Sequence, residues 1–354
     1  MSAKWKKVRL GEVASTMRGK AVTRNSISEG HIPVILGGRE PAYYCNESNH
    51  KGPCFVVSRS GASAGYVSYW EEPIFVTDGF LFEANSKIDT QYLYYSLKAR
   101  QHSLIMSQNG TGIPHVRGED LKNLEIDFPD QLERNRIVAI LSDYDAAIAN
   151  CRKQIALLEE AAMRLYREWF KDGKGEEKLL VAVADITYGF PFESKLFNSK
   201  RVGLPIIRIR NVPDGESNDY TTEKAPERYI VKDGDLLIGM DGEFHVNCWS
   251  GGVAYLVQRT CRLRPHNFQL SGYIREAIRK PIEAFQSSIV GATVGHLGKQ
   301  DIDTIIITLP NDSGITELLQ KGFEQQLKLK QQIRSLSEAR DRLLPKLMEG
   351  EIEV

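Results

Sequence analysis

Two histidines recur at matching places: His115 in GIPHVRG and His296 in TVGHLGK, 181 positions apart, the first followed by Arg117 and the second by Lys299. An imidazole beside a cation can act as a general base, a metal ligand or a hydrogen-bonding contact to a partner. The first two roles need companions, and the sequence supplies none at workable spacing. The seven histidines are dispersed, with no His-x-x-x-His and no carboxylate-rich cluster for a metal. Cys54, Ser58 and Ser60 lie close together, but no histidine has a claim on them as the partner that activates a nucleophile. RGKAV and LGKQD lack the glycine spacing and the hydroxyl residue of a phosphate-binding loop. No Pro-Pro occurs, so the Asn/Asp-Pro-Pro-aromatic motif of amino-group methyltransferases is absent. Pro129-Asp130 and Pro213-Asp214 are not followed by Glu-x-Lys and read as turns rather than as a nuclease site. No reaction centre is expected in this chain, and the repeated histidine reads as a structural or partner-contacting residue.

Binding chemistry is better represented. In the first half, Arg18, Lys20, Arg39, Arg59, Ser60, His115 and Arg117 all lie at or beside glycine turns. In the second half the corresponding candidates are Tyr188, Lys195, Arg201, Arg208, Arg210, Asn211, His296 and Lys299. Arginine serves both needs of nucleic-acid recognition, bidentate contact to guanine and contact to phosphate. Neighbouring glycines let a backbone approach a duplex closely. Net charge is zero, 46 basic against 46 acidic residues, which argues against a polycationic coat but permits local basic faces.

The elements that must position these residues are written twice. NGTGIPHVRGEDLKNLEIDFPD and VGATVGHLGKQDIDTIIITLPN align without a gap, so that Gly110 meets Gly291, His115 meets His296 and Pro129 meets Pro310. VRLGEVASTMRG echoes KLLVAVADITYG, VVSRSGASAGYVSYW resembles LIGMDGEFHVNCW, and IALLEEAAMRL resembles IRSLSEARDRL. This is a duplicated domain rather than a solenoid of short units. Strand-like runs (HIPVILGG, CFVVSRSG, IFVTDGFLFEA) make each block mainly β, and TQYLYYSLKARQHSLIM and SGYIREAIRKPIEAFQSSI are its internal helices. FKDGKGEEK, Phe170 to Lys178, reads as the linker into the second block.

Each block ends in a helical tail. Apolar positions at Ile137, Leu141, Tyr144, Ile148, Cys151, Ile155, Leu158, Ala162, Leu165 and Trp169 alternate in steps of four and three, the seam of a coiled coil. The second tail keeps that register with Gly322, Gln326 and Arg340 at three seam positions. Each tail should form a rod roughly 45–50 Å long, and the two are expected to pair antiparallel, as a ruler between the heads. The expected fold class is α+β: two repeated β-rich recognition domains joined by two long helices forming an antiparallel coiled coil. Expected boundaries are 1–131 for the first head, 132–173 for the first helix, 174–311 for the second head and 312–354 for the second helix. Scaffold segments match while GGREPAYYCNESNHKGPC and RIRNVPDGESNDYTTEKAPERY diverge, so the heads should read different targets.

Five cysteines, odd in number and never spaced C-x-x-C, argue against a disulfide framework or zinc site and for a reducing cytoplasm. No apolar run is long enough to span a membrane, and the first residues lack the apolar core of a secretory signal.

IPVILGGREPAYY, GPCFVVSRSGASAGYVSYWEEPIFVTDGFLF, LERNRIVAILSDYDAAI and LLEEAAMRLYREWFKD, in the order head, helix, head, helix, resemble the specificity subunit of type I restriction-modification systems. The resemblance implies two target-recognition domains reading a bipartite double-stranded DNA site, with no catalysis in this subunit. It also implies two modification subunits that methylate adenine with S-adenosylmethionine, and restriction subunits that cleave using ATP and Mg²⁺. Two other readings stay open: the specificity subunit of a related type II system, and a stand-alone DNA-modifying enzyme. A two-headed protein-binding scaffold is a further class, distinguished by lack of salt-dependent DNA binding.

Overall fold

The computed structural model describes residues 5–22, 28–106, 115–172, 175–288 and 295–354. The opening words of the repeat, 109–114 and 290–294, with Gly110 and Gly291, lie outside the described residues. The chain forms two compact units, Met1–Ala146 with Leu336–Val354, and Ala147–Ser335. Each unit therefore draws on part of both long helices.

In the first unit, strands Ala14–Arg18, Gly79–Ala84, Cys54–Ser58 and Val67–Trp70 form, in that order, an antiparallel sheet. Cys54–Ser58 is buried at every residue, as a continuous run of apolar and β-branched side chains between two neighbours should be. Its Phe55 stacks on Phe82 of the adjoining strand at 5.2 Å between ring centroids. A three-stranded sheet joins Tyr43–Cys45, Ile32–Ile35 and Phe75–Val76. A two-stranded ribbon pairs Lys6–Arg9 with Glu125–Phe128 and delivers the chain to Pro129. Asp130, next in line, accepts a hydrogen bond from the Glu133 amide at 2.9 Å and caps the first long helix, Gln131–Asp172.

The second unit repeats this plan. Gly175–Leu179 pairs with Ile306–Pro310, and Ala184–Tyr188, Thr260–Pro265, Leu236–Gly239 and Val246–Cys248 form the matching four-stranded sheet. The smaller sheet has grown to five strands, Phe197–Asn198, Tyr220–Thr221, Leu204–Ile207, Ala254–Leu256 and Ile230–Val231. Equivalent tyrosines tie each block's internal helix to its exit strand: Tyr92 donates to the Asp127 carbonyl at 2.6 Å, and Tyr273 to that of Thr308.

Within the first unit, the start of the first long helix lies against the end of the second, Gly314–Met348. Ile137, Val138 and Leu141 share one core with Leu344, Leu347 and Met348. Arg136 reaches the Val354 carbonyl at 2.9 Å, and Asp145 pairs with Arg340 at 2.5 Å. Partners thus descend as positions rise, and the segments run antiparallel. In the second unit, Ala162 and Tyr166 of the first helix share a core with Leu319 and Phe323 of the second.

Several local expectations are corrected. TQYLYYSLKARQHSLIM is two helices, Lys87–Ala99 and Gln101–Met106, broken where the Arg100 guanidinium turns to the Glu125 carbonyl at 2.6 Å. IFVTDGFLFEA is two strands with Thr77 and Asp78 between them. FKDGKGEEK is not a free linker, since helix continues to Asp172 and a strand begins at Gly175. In the first tail the buried stripe leaves the strict register near its end: Leu165 is 42% exposed while Tyr166 is 7% exposed. In the second tail Phe323, not Gly322, takes the buried place. Its polar seam residues find partners: Gln326 Oε1 accepts from Arg275 at 2.7 Å, though its buried Nε2 has none, and Arg340 holds Asp145. Among the described residues, no helix is long and apolar enough to cross a membrane.

Candidate nucleic-acid interface

In each unit the central strand of the four-stranded sheet runs into a turn where the repeat's register can be followed atom by atom. After Ser58 come Arg59, Ser60 and Gly61; after Gly239 come Met240, Asp241 and Gly242. Both turn glycines have positive φ, 81° and 71°, a backbone that L side chains rarely adopt. The Arg59 amide donates to the Asp78 carbonyl at 3.1 Å, and the Val116 amide to the Arg59 carbonyl at 2.9 Å. The Met240 amide donates to the Arg259 carbonyl at 2.9 Å, and the Leu297 amide to the Met240 carbonyl at 2.8 Å. His115 bridges to Ser60, and His296 to Asp241, in matching isolated β-bridges. Gly19 and Gly189 close the same corner, where a side chain would strike the carbonyls of Thr77 and Val257.

A cleft opens beside this corner in each unit. The first, about 330 Å³, is lined by Arg18, Gly19, Leu36, Arg59, Ser60 and Asp78 among others. The second, about 510 Å³, is lined by Phe197, Arg208, Arg210, Asp241, His245 and Arg259 among others. The backbone is shared, but the charges are exchanged. In the first cleft, Asp78 receives Arg59 Nε at 3.0 Å and the Ser60 hydroxyl. In the second, the acid stands at the position equivalent to Ser60, as Asp241, and the cation at that of Asp78, as Arg259. Arg259 Nη1 donates to Asp241, and His296 Nδ1 lies 2.6 Å from Asp241 Oδ1. Burial works against the ionised carboxyl of Asp241, but the hydrogen bonds from His296 and Arg259 outweigh it and hold it below the usual carboxylate range.

The predicted residues fall into three groups. Arg18, Arg59 and Ser60 meet in the first cleft, with His115 bridged to Ser60. Arg208 and Arg210 meet in the second, with His296 on Asp241. Arg208 lies over the Phe197 ring at 5.7 Å, Asn211 accepts from its amide at 3.0 Å, and Arg210 reaches Asp219 at 2.7 Å. The rest are placed otherwise. Lys20 is exposed and its amide donates to the Val76 carbonyl. Arg39 lies over Tyr66 at 5.7 Å, beside Lys98 at 4.6 Å from that ring. Arg117 is exposed just ahead of the short helix Gly118–Lys122, and Arg201 is exposed with φ of 60°. Lys195 pairs with Glu193. Tyr188 donates to Asp303 at 2.8 Å with Lys299 over its ring at 5.5 Å, a pair separate from the residues lining the second cleft.

Sequence reasoning missed Asp78, Asp241, His245 and Arg259. Carrying the offset of 181 through the turns would have paired Ser60 with Asp241 and Asp78 with Arg259, exposing the charge exchange. No group of three or more His, Cys, Asp or Glu arranged to hold a metal occurs among the described residues.

Fold and clefts define a duplicated α+β protein with two β-rich heads that carry guanidinium groups at equivalent corners. Residues 2–160 match the type I restriction modification DNA specificity domain. The type I restriction enzyme MjaIX specificity subunit of Methanocaldococcus jannaschii is 26% identical over 340 residues, covering 86% of this chain and 78% of that protein. The EcoBI specificity subunit of Escherichia coli is 34% identical over 130 residues, 36% of this chain and 27% of that protein. The crystal structure of the type I restriction-modification S subunit from M. genitalium superposes with a TM-score of 0.59 at 18% identity, covering 98% of this chain and 96% of that one, and shares the fold. The chain is thus similar to type I restriction-modification specificity subunits, with the family's DNA specificity domain matched over residues 2–160.

Proposed function

We propose that this chain is the non-catalytic DNA-recognition subunit of a type I restriction-modification enzyme. Each head reads one half of a bipartite site, and the assembled enzyme methylates adenine or cleaves DNA through its partners. The heads span 1–131 and 174–311, and the helices between and after them span 132–173 and 312–354. Two modification subunits grip the helices and adjoining head surfaces and supply S-adenosylmethionine; restriction subunits supply ATP-driven cleavage with Mg²⁺. The assembly works in the cytoplasm, in keeping with five cysteines that are all free and buried.

The observation that carries this reading is the pair of clefts, built on one backbone scaffold and lined by unlike side chains. A shared scaffold suits a shared task, and exchanged charges suit different targets. In the test, the chain is co-purified with its modification subunits and the adenines they methylate are mapped. Replacing the first head with that of a related subunit is expected to change one half-site and leave the other. A change in both halves, or in neither, refutes the one-head, one-half-site reading. Methylation or cleavage by the isolated chain with S-adenosylmethionine or Mg²⁺ refutes the non-catalytic role.

A further inference from the structure

The second cleft holds a cation whose backbone and side chain are both constrained. Arg259, in the turn before strand Thr260–Pro265, has φ of 68°, in the left-handed region that arginine rarely occupies. Such a conformation persists where its surroundings enforce it, and it gathers at binding and switch sites. Here its carbonyl is held by the Met240 amide at 2.9 Å. Its side chain is held as well: Nη1 donates to Asp241, whose other oxygen lies 2.6 Å from His296 Nδ1. The acid is 12% exposed and the arginine 62% exposed. An anchored carboxylate thus carries an exposed guanidinium on the wall of a cleft shared with Arg208, Arg210 and His245.

A flexible surface cation is sufficient for phosphate, which carries no sequence information. A base edge demands a fork fixed in direction, because guanine offers O6 and N7 side by side in the major groove. We propose that Arg259 is a specificity-determining residue of the second head that reads a guanine through O6 and N7, with Asp241 as its positioning residue. The inference rests on the reading of the chain as a DNA-recognition subunit. In the first head, Asp78 occupies the equivalent place and the arginine beside it comes from the other side of the corner, as Arg59. The two heads therefore present their forks from different positions.

The test uses the full chain assembled with its modification subunits, S-adenosylmethionine and a duplex library randomised in both half-sites, with methylated molecules sequenced. Arg259→Gly removes the fork while suiting the left-handed backbone. Arg259→Lys keeps the charge but loses the two-pronged geometry. Both are expected to lower preference for guanine at one position of one half-site by roughly 10- to 100-fold, with the other half-site unchanged. Asp241→Asn should relax the same position. Placing 7-deazaguanine there, which lacks the N7 acceptor, should weaken methylation by the unaltered enzyme and leave Arg259→Gly indifferent. Full retention of guanine preference in Arg259→Gly overturns the inference while leaving the proposed function standing. So does uniform weakening across all sequences with a shallower salt dependence, the mark of a phosphate contact. If the unaltered assembly selects no sequence, the proposed function falls and this assignment with it.

Discussion

Asp241 shows how one carboxylate can organise a site. Its two oxygens engage His296 and Arg259, so replacing it releases an exposed imidazole and an exposed guanidinium at once. Its carboxyl is held below the ordinary carboxylate range in the folded chain. The unfolded state therefore takes up the proton first as pH falls, and the stabilisation is lost progressively on the acid side. It is fully present above the ordinary carboxylate value and disappears as pH drops through the lowered folded value. Urea unfolding of the second unit, compared with Asp241→Asn, should show the unaltered chain ahead at neutral pH and the gap closing under acid. A gap that stays constant with pH would mean that the ionised carboxylate is not its source.

Among elements, the long helices show where periodicity succeeds and where neighbours override it. The alternation of four and three predicts buried Leu165, yet the side chain that enters the second unit's core is Tyr166, which packs edge-on against Tyr273 at 5.5 Å. A straight α-helix drifts from a strict seven-residue repeat, and an aromatic partner on the adjoining head decides which residue follows the drift. Tyr166→Ala should cost about 3 kcal/mol by thermal or chemical unfolding, as large buried aromatics do. Leu165→Ala should cost under about 1 kcal/mol, as for an exposed position; comparable losses would restore the strict seam. Gly322 offers the opposite case: it is helical, and a methyl group there would meet nothing within 4 Å. Gly322→Ala should therefore stabilise by roughly 1 kcal/mol, the propensity difference between the two residues. A loss of stability would instead reveal a packing role for the bare backbone. The polar seam residue Arg340 is a cross-link, since Asp145 of the first long helix also accepts from Tyr95 at 2.7 Å.

For the whole molecule, duplication sets one scaffold twice, which the proposed function takes as two readers. The scaffold lies in the four-stranded sheet, the tyrosine tie to the exit strand and the bridge from His115 or His296. What differs is what the corner displays, Ser60 with Asp78 or Asp241 with Arg259, and the proposed function assigns the readout to these residues. Exchanging the second head should accordingly be reciprocal to exchanging the first: the methylation map should change in the other half-site alone. The larger sheet of the second unit keeps the matching trio Tyr220–Thr221, Leu204–Ile207 and Ala254–Leu256 and adds the short strands Phe197–Asn198 and Ile230–Val231 at its two edges.

The repeat, the mainly β character of each block, the two long helices and most of their buried positions were legible in the residues alone. Each is a local or periodic property, set by the side-chain period of a strand or helix and by turn residues. Family likeness was legible for the same reason, since it rests on words such as GPCFVVSRSGASAGYVSYW that stay contiguous in the chain. The clefts were only partly legible. Arg18, Arg59, Ser60, Arg208 and Arg210 stood out by type and by neighbouring glycines, but Arg39, Lys195 and Lys299 stood out equally and lie elsewhere. What tertiary structure decided was which acid meets which base: Asp78 lies 19 residues from Arg59, and Asp241 lies 18 from Arg259 and 55 from His296. Such pairs are brought together by strand register and by a backbone turned at one corner, and no local pattern encodes the distance between them.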